Sequence, residues 1–222
     1  IISLFDRLDY VSNFNMEMSY VMAVEKILGL DVPIRAEYIR VITCELNRIA
    51  SHLLFYGTLG LDIGAMTPVM YAFREREALQ AYFESVSGAR MMHNFFRVGG
   101  VKEDLPEGFL DSLKSYLPEL KQAVQECDQL LTLNEIFLER TKGVGILEKV
   151  DAVDFAVSGP NLRASGVEHD IRRTEPYSIY PNLKFRIPTG TNGDSWDRYW
   201  VRMQEIHESI FIIEQCIEQC IE

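Results

Sequence analysis

The sequence predicts a mainly α-helical protein, a bundle of long helices with a small loop-and-strand insertion. Three observations support this class: apolar residues recur at helical spacing over long stretches, proline or capping residues precede several of these stretches, and glycine ends others. With 47% hydrophobic and 25% charged side chains, the 222 residues have the composition of a globular protein with a substantial core.

The first two predicted helices carry the clearest periodicity. The first follows Ser12 or Asn13, either of which can cap it, and it ends at Gly29. The second begins at Pro33, a residue favoured in the first turn of a helix, and it runs to about Gly64. Because about 30 helical residues span ~45 Å, we expect this helix to be central in the bundle.

The rest of the chain is predicted to contain three more helices, over about 67–88, 107–131 and 195–222. Pro118 should kink or split the helix in which it lies. Gly99 and Gly100 indicate a turn, and the run LKFRIP at 183–188 alternates as a strand does. We expect 1–222 to be one helical domain and a fragment of a longer protein.

The charge balance argues against a nucleic-acid partner. The chain has 33 acidic and 22 basic side chains and a net charge of -11, whereas duplex-binding proteins present a basic face. No signal peptide is visible, and the longest apolar stretch, 53–66, is shorter than the ~20 residues that cross a bilayer. The four cysteines include no CxxC pair, so we expect reduced thiols and no metal held by this chain.

Two places in the sequence suggest a functional site. Arg7, Asp9 and Tyr10 precede the first long helix, and a phenol, a neutral donor at pH 7, suits a ligand carbonyl. The alternative is a helix-start tyrosine whose hydroxyl reaches water. Asp62 lies in an apolar run beside glycines, where a buried carboxylate would exchange protons; the alternative is a helix cap or an ion pair with arginine.

Other charged motifs have simpler interpretations. The run FREREALQ at 73–80 is typical of a solvated or salt-bridged helix face. Three arginines crowd residues 161–173, where they could hold an anion, although we favour ion pairing with the acidic surface. His52 and His93 lack the spacing of a metal-binding motif.

Six ordered blocks carry a resemblance to a known family: RLDYVSNF, PIRAEYIRVITCELNRIASHLL, LDIGAMTPVMYAFREREALQAYFESVSGARMMHNFFRVGGVKEDLP, IFLERTKGVGI, GPNLRASGVEHDIRR and GDSWDRYWVRMQEIHES. They resemble the hydrogenase-like, quinone-site subunit of the proton-pumping NADH–quinone oxidoreductase, respiratory complex I. This resemblance covers nearly the whole chain. It implies a fold like the large subunit of [NiFe] hydrogenases, without nickel, and a place in the quinone-reduction site.

The resemblance also implies residue roles. Tyr10 would hydrogen-bond the quinone headgroup, and Arg7 would lie beside the terminal iron–sulfur cluster of the neighbouring subunit. Asp62 would belong to the proton network behind the quinone. Further residues would line the chamber or lie near the cluster, namely Asp9, Ser12, Leu54, Thr58 and Met92. Many family members have histidine at the position of Met92, and its protonation follows the redox state of the cluster.

The partners implied are the iron–sulfur subunit, the other peripheral-arm subunits and, at the quinone chamber, a membrane-arm subunit. NADH would act through the assembled complex, which would lie at the cytoplasmic face of the bacterial inner membrane or in the equivalent organelle compartment. The family's segment that pairs a histidine with Tyr10 is missing, so we expect the fragment alone not to reduce quinone. Two alternatives stay open: the large subunit of an energy-converting [NiFe] hydrogenase and a structural scaffold.

Overall fold

The computed structural model describes residues 1–220, and these are mainly helical, as the sequence predicts. The long helices are α2 (Asn13–Leu28), α3 (Ile34–Asp62), α4 (Thr67–Ser87), α5 (Phe109–Leu131) and α10 (Ser195–Cys220). The short helices are α1 (Ile2–Phe5), α6 (Glu135–Thr141), α7 (Lys149–Asp154), α8 (Gly159–Ala164) and α9 (Ile171–Thr174), with a 3-10 turn at Tyr180–Asn182. The last two positions of the final predicted helix lie outside the described residues.

The central helix is α3, as its length predicts. It packs against α2, α4 and α10, and one face of each neighbour supplies the core. Gly57 and Gly60 allow the close approach of α4, because a Cβ atom at either position would crowd Val69 or Pro68. The C-terminal end of α3 and the start of α4 therefore lie unusually near each other.

The predicted glycine turn is confirmed as a small hairpin. Strands β1 (Phe96–Arg97) and β2 (Gly100–Val101) pair antiparallel, with Phe96 opposite Val101. Gly99 has a φ of 89°, a conformation that glycine adopts without strain. The hairpin is fixed to the bundle by Arg40 of α3, which donates hydrogen bonds to the backbone carbonyls of Arg97 and Gly100.

The prediction of a strand at 183–188 is wrong. The segment does not pair with another strand; α10 satisfies its backbone instead, through Gln215 to the amide of Lys184 and Glu208 to the amide of Arg186, both at 2.9 Å. Phe185 is buried in the core. The alternation in the sequence thus reports one face packed on the bundle rather than a sheet.

Of the kink or split expected at Pro118, the split does not occur, because α5 continues through this residue from Phe109 to Leu131. Pro118 is exposed, while Leu117 and Leu120 on either side of it are buried in the core. Tertiary packing of this stripe outweighs the loss of one backbone hydrogen bond. Within the described residues, none of the helices is both long and apolar enough to cross a membrane.

Candidate functional site

The segment 6–12 joins α1 to α2 and carries four of the predicted site residues. Asp9 stabilises this turn, since its Oδ1 accepts a hydrogen bond of 3.1 Å from the amide of Val11. Tyr10 is 61% exposed, and the exposed Arg7 uses its guanidinium to bind the carbonyl of Ser3. The phenol and the guanidinium therefore both point away from the core, where another molecule can reach them.

Asn47 of α3 fixes this turn in place. Its Oδ1 accepts from the amide of Phe14 at 3.2 Å and its Nδ2 donates to the carbonyl of Val11 at 3.3 Å. Ser12 occupies the N-cap position of α2, as expected, but its hydroxyl accepts from the side chain of Asn15 instead of capping a backbone amide. Asn47 of the neighbouring helix thus caps α2, and the turn that carries the exposed Tyr10 is held rigidly.

A buried carboxyl pair lies behind the turn. Asp6 and Glu17 are fully enclosed, and their carboxyl groups are hydrogen-bonded to each other. Glu17 also accepts from the amides of Phe95 and Phe96. Burial and the hydrogen bond to Asp6 raise the pKa of Glu17 to about 9. The pair was not predicted from the sequence, although Glu17 lies between the periodic core residues Phe14 and Val21.

Met92 and His93 occupy the segment that packs on this carboxyl pair. Met92 is half-buried with a φ of 58°, so the chain is not extended there. His93 is buried and stacks on Phe14 with ring centroids 4.0 Å apart. Burial lowers the pKa of His93 to about 4, so its imidazole is neutral at pH 7.

Leu54, Thr58 and Asp62 follow one another at four-residue spacing along one side of α3. Leu54 is half-buried, whereas Thr58 and Asp62 are exposed, so Asp62 is in contact with water although it lies in an apolar run of the sequence. The cause is position: Asp62 is the last residue of α3, where the helix leaves the bundle. From Asn47, beside the Tyr10 turn, to Asp62 is about 22 Å along the helix axis.

The cavities at these two places are separate, and neither Tyr10 nor Asp62 lines one of them. A cavity of about 350 Å³ next to the end of α3 is lined by residues that include Ile63, Thr67 and Arg140. A second, of about 520 Å³, lies between α2 and the 158–177 region. Methionines of α2 form an apolar wall of this second cavity, which also includes Arg48, Arg163 and Arg172.

Two of the three arginines of 161–173 pair with buried carboxylates and not with the acidic surface, whereas Arg173 donates to the carbonyl of Phe185. Arg172 contacts Asp170 at 2.6 Å and Glu45 at 3.0 Å, and Arg163 contacts Glu205 at 2.7 Å. Ion pairing is confirmed, but inside the core. A signal was available in the sequence, because Glu45 continues the buried stripe of Val41 and Ile49 at four-residue spacing.

Ionisation of this charged core is set by its arginines. Burial alone would raise the pKa of Glu45, yet Arg48 and Arg172, with hydrogen bonds from Tyr180 and Ser209, lower that pKa to about 2. The core therefore stays charged and closed at neutral pH. Within residues 1–220, no group of three His, Cys, Asp or Glu side chains is arranged to hold a metal ion.

Comparisons with known proteins give a consistent result. A family model described as "Respiratory-chain NADH dehydrogenase, 49 Kd subunit" matches residues 62–222. One of the two D subunits of NADH-quinone oxidoreductase from Rhizobium meliloti, the one numbered 2, is 48% identical over 219 residues, which are 99% of this chain and 54% of that relative. The D subunit of NADH-quinone oxidoreductase from Bacillus cereus is also 48% identical over 219 residues, 99% of this chain and 60% of the relative.

The corresponding protein of Carboxydothermus hydrogenoformans, likewise named as the D subunit of NADH-quinone oxidoreductase, is 48% identical over 213 residues, which are 96% of this chain and 58% of the relative. The chain thus spans a little over half the length of the curated relatives it matches. The family model begins at Asp62 and does not include the Tyr10 turn. The similarity of that turn therefore rests on the relatives, which align with almost all of the chain.

Proposed function

Because this chain belongs to the family of the 49 kDa subunit of respiratory-chain NADH dehydrogenase, we propose that it forms part of the quinone-reduction site of a proton-translocating NADH–quinone oxidoreductase. The fold fits, since the family resembles the large subunit of hydrogenases. The observation that carries the proposal is the exposed Arg7–Tyr10 turn, held rigidly by Asn47 on a chain that relatives of this family match over 99% of its length.

Tyr10 is the group that we assign to the quinone headgroup. Reduction of a quinone to a quinol takes two electrons and two protons, so a neutral hydroxyl that donates to the carbonyl oxygen binds the substrate and delivers the first proton. The iron–sulfur cluster, which we place in the neighbouring subunit, supplies the electrons. The exposure of Tyr10 supports this assignment, because a buried phenol could not reach a substrate held between two chains.

Arg7 is the residue that we assign to the neighbouring cluster. Its guanidinium is exposed one turn before Tyr10, so a partner protein that packs on this turn would meet both side chains. A fixed cation next to a cluster favours the reduced form, which carries the extra negative charge. Asp9 and Ser12 support the shape of the turn through their hydrogen bonds.

The stripe of Leu54, Thr58 and Asp62 is proposed as the wall of the quinone chamber that leads away from Tyr10. Its exposure along α3 suits a surface that another protein of the complex covers. Asp62 would exchange protons at the far end of this wall. The partners are then the iron–sulfur subunit, other peripheral-arm subunits and a membrane-arm subunit, and the location is peripheral, at the cytoplasmic face of the membrane.

The test replaces Tyr10 in the full-length protein within the assembled complex. Tyr10→Phe keeps the ring and removes the hydroxyl, so quinone reduction by NADH should fall by at least about 100-fold in kcat/KM, the contribution of a positioned acid. NADH oxidation with an artificial acceptor that bypasses the quinone should not change. The matched control is Tyr20→Phe, which makes the same chemical change at a half-buried ring that contacts Phe5.

Equal losses of quinone reduction in both tyrosine variants would contradict the assignment, because Tyr20 lies on α2 and is not assigned to the quinone. So would full quinone activity in Tyr10→Phe. Bound nickel in the full-length protein would instead favour the hydrogenase alternative.

A further inference from the structure

Asp6 and Glu17 bring two carboxyl groups together where neither has contact with water. Both residues are 0% exposed. One oxygen of each is bound by backbone amides: Asp6 Oδ2 by Asn94 at 3.1 Å, and Glu17 Oε2 by Phe95 at 2.8 Å and Phe96 at 2.6 Å. The remaining oxygens, Asp6 Oδ1 and Glu17 Oε1, find no donor among the described residues. A single proton shared between the two carboxyl groups satisfies both oxygens.

The groups that face the pair do not neutralise a second negative charge. From the segment before β1, His93 faces Asp6, and burial lowers the pKa of His93 to about 4. From α3, Cys44 faces Glu17, and burial keeps the pKa of this thiol well above its usual range. Both are neutral at pH 7. Two adjacent carboxylates in such surroundings do not both stay ionised at pH 7, so the resting pair holds one proton.

We propose that Asp6 and Glu17 form a proton reservoir that shares one proton at neutral pH and releases it toward Tyr10 when quinone is reduced. The release rests on the proposed function; the sharing does not. The reservoir lies directly behind the exposed turn, since Asp6 precedes Arg7 in the chain and its oxygen binds the backbone just beyond Met92. The pair is therefore attached to both segments that we assign to the quinone and to the cluster.

The proton balance of this step is simple. Tyr10 gives its hydroxyl proton to the reduced quinone oxygen and takes one from the pair, which is left as two carboxylates. A proton from solvent later reloads the pair through the exposed Tyr10, and the electrons come from the reduced cluster in the neighbouring subunit. The raised affinity of the pair for a proton, with a pKa of Glu17 near 9, keeps it loaded at neutral pH between turnovers.

The first experiment tests the sharing by infrared spectroscopy of the assembled complex, with the full-length protein. A band of a protonated carboxyl that shifts in D₂O should be present at pH 7 and should be lost in both Glu17→Gln and Asp6→Asn. Glutamine can imitate the neutral pair, because its carbonyl accepts from the amides of Phe95 and Phe96 while its NH₂ donates to Asp6. A band that persists in both variants overturns the proposal.

The second experiment tests the release. In the wild type, quinone reduction should decline above about pH 9 as the pair loses its proton, and its carboxyl band should weaken when quinone is reduced. Glu17→Gln should be at least about tenfold slower at pH 7 and lack the alkaline decline. The double variant with Asp6→Asn should be no slower than either single one, since the two residues hold one proton. The control is Glu103→Gln, a carboxyl that is 70% exposed.

The outcomes separate this proposal from the proposed function. A wild-type rate and pH profile in Glu17→Gln, together with the expected loss in Tyr10→Phe, overturns the reservoir and leaves the quinone site standing. A slower Glu17→Gln whose pH profile keeps the wild-type shape indicates a structural role only and also overturns the reservoir.

Discussion

His52 donates a 2.7 Å hydrogen bond from Nε2 to Oε2 of Glu205, and this contact joins α3 to α10 inside the core. Burial lowers the pKa of His52, so the imidazole is neutral and acts as the donor. The other oxygen of Glu205 is bound by Arg163 at 2.7 Å. The buried carboxylate of Glu205 therefore links the two helices that frame the charged core.

Glu205→Gln should destabilise the protein strongly. The substitution removes the carboxylate that contacts the buried Arg163 at 2.7 Å and leaves only Asp170 at 3.9 Å, and breaking such a pair costs about 3 kcal/mol. Urea denaturation of the full-length protein measures this loss. The control is Glu214→Gln, also on α10, whose partner Lys121 of α5 lies at 2.6 Å; both side chains are partly exposed, so this pair should contribute less than ~1 kcal/mol. Similar losses in the two variants would contradict the buried network.

Acid should unfold the protein through Glu45. Its pKa is lowered in the folded state, from 4.5 to about 2, so its contribution is present above the unfolded pKa and is lost as pH falls through the folded one. Between about pH 4.5 and 2 the free energy of unfolding should fall by roughly 3 kcal/mol from this residue alone. Glu45→Gln should flatten that part of the pH–stability curve; an unchanged slope would show that other carboxyls dominate.

Gly193→Ala should be poorly tolerated. Gly193 has a φ of 68°, and a Cβ atom there would collide with the carbonyl oxygen of Leu147. Its amide also donates to Asp197 at 3.1 Å. We expect a loss of more than ~2 kcal/mol, against about 1 kcal/mol for Gly29→Ala, where the φ of 64° is similar but nothing lies nearby. Thermal denaturation of the two variants measures both losses of stability. The difference between them is the cost of the collision with Leu147 beyond that of backbone strain.

Met92→His should make the potential of the neighbouring cluster depend on pH. In the wild type we expect a weak dependence between pH 6 and 8, because Met92 does not titrate and His93, with its pKa lowered by burial to about 4, stays neutral. Redox titrations of the complex at several pH values measure the slope. A wild-type slope near ~59 mV per pH unit, the limit for one electron and one proton, would mean that another group has taken this role.

Much of the fold follows from the sequence. The five long helices lie within a few residues of their predicted ranges, since each has a periodic apolar face and most have a proline or glycine boundary. The errors at Pro118 and at 183–188 have one cause. A backbone amide can be bound within a helix, within a sheet or by a side chain such as Gln215. Which of these occurs depends on contacts between distant segments, and the local sequence pattern does not contain those contacts.

The site was only partly predictable. Tyr10 and Asp62 are both exposed, although the sequence places Asp62 in an apolar run. The pairing of Asp6 with Glu17, and of Glu45 with Arg172, joins residues from different segments, which spacing along one helix does not reveal. Charged residues at buried positions of a periodic stripe were the available signal, and they mark places where a partner must exist.

The most direct test of the account is a structure of the assembled complex, with the full-length protein and bound quinone. The account predicts that a carbonyl oxygen of the headgroup lies within about 3 Å of the Tyr10 hydroxyl, with Arg7 facing the cluster of the neighbouring subunit. A headgroup held elsewhere, with the Tyr10 hydroxyl packed against protein or open to bulk water, would contradict it.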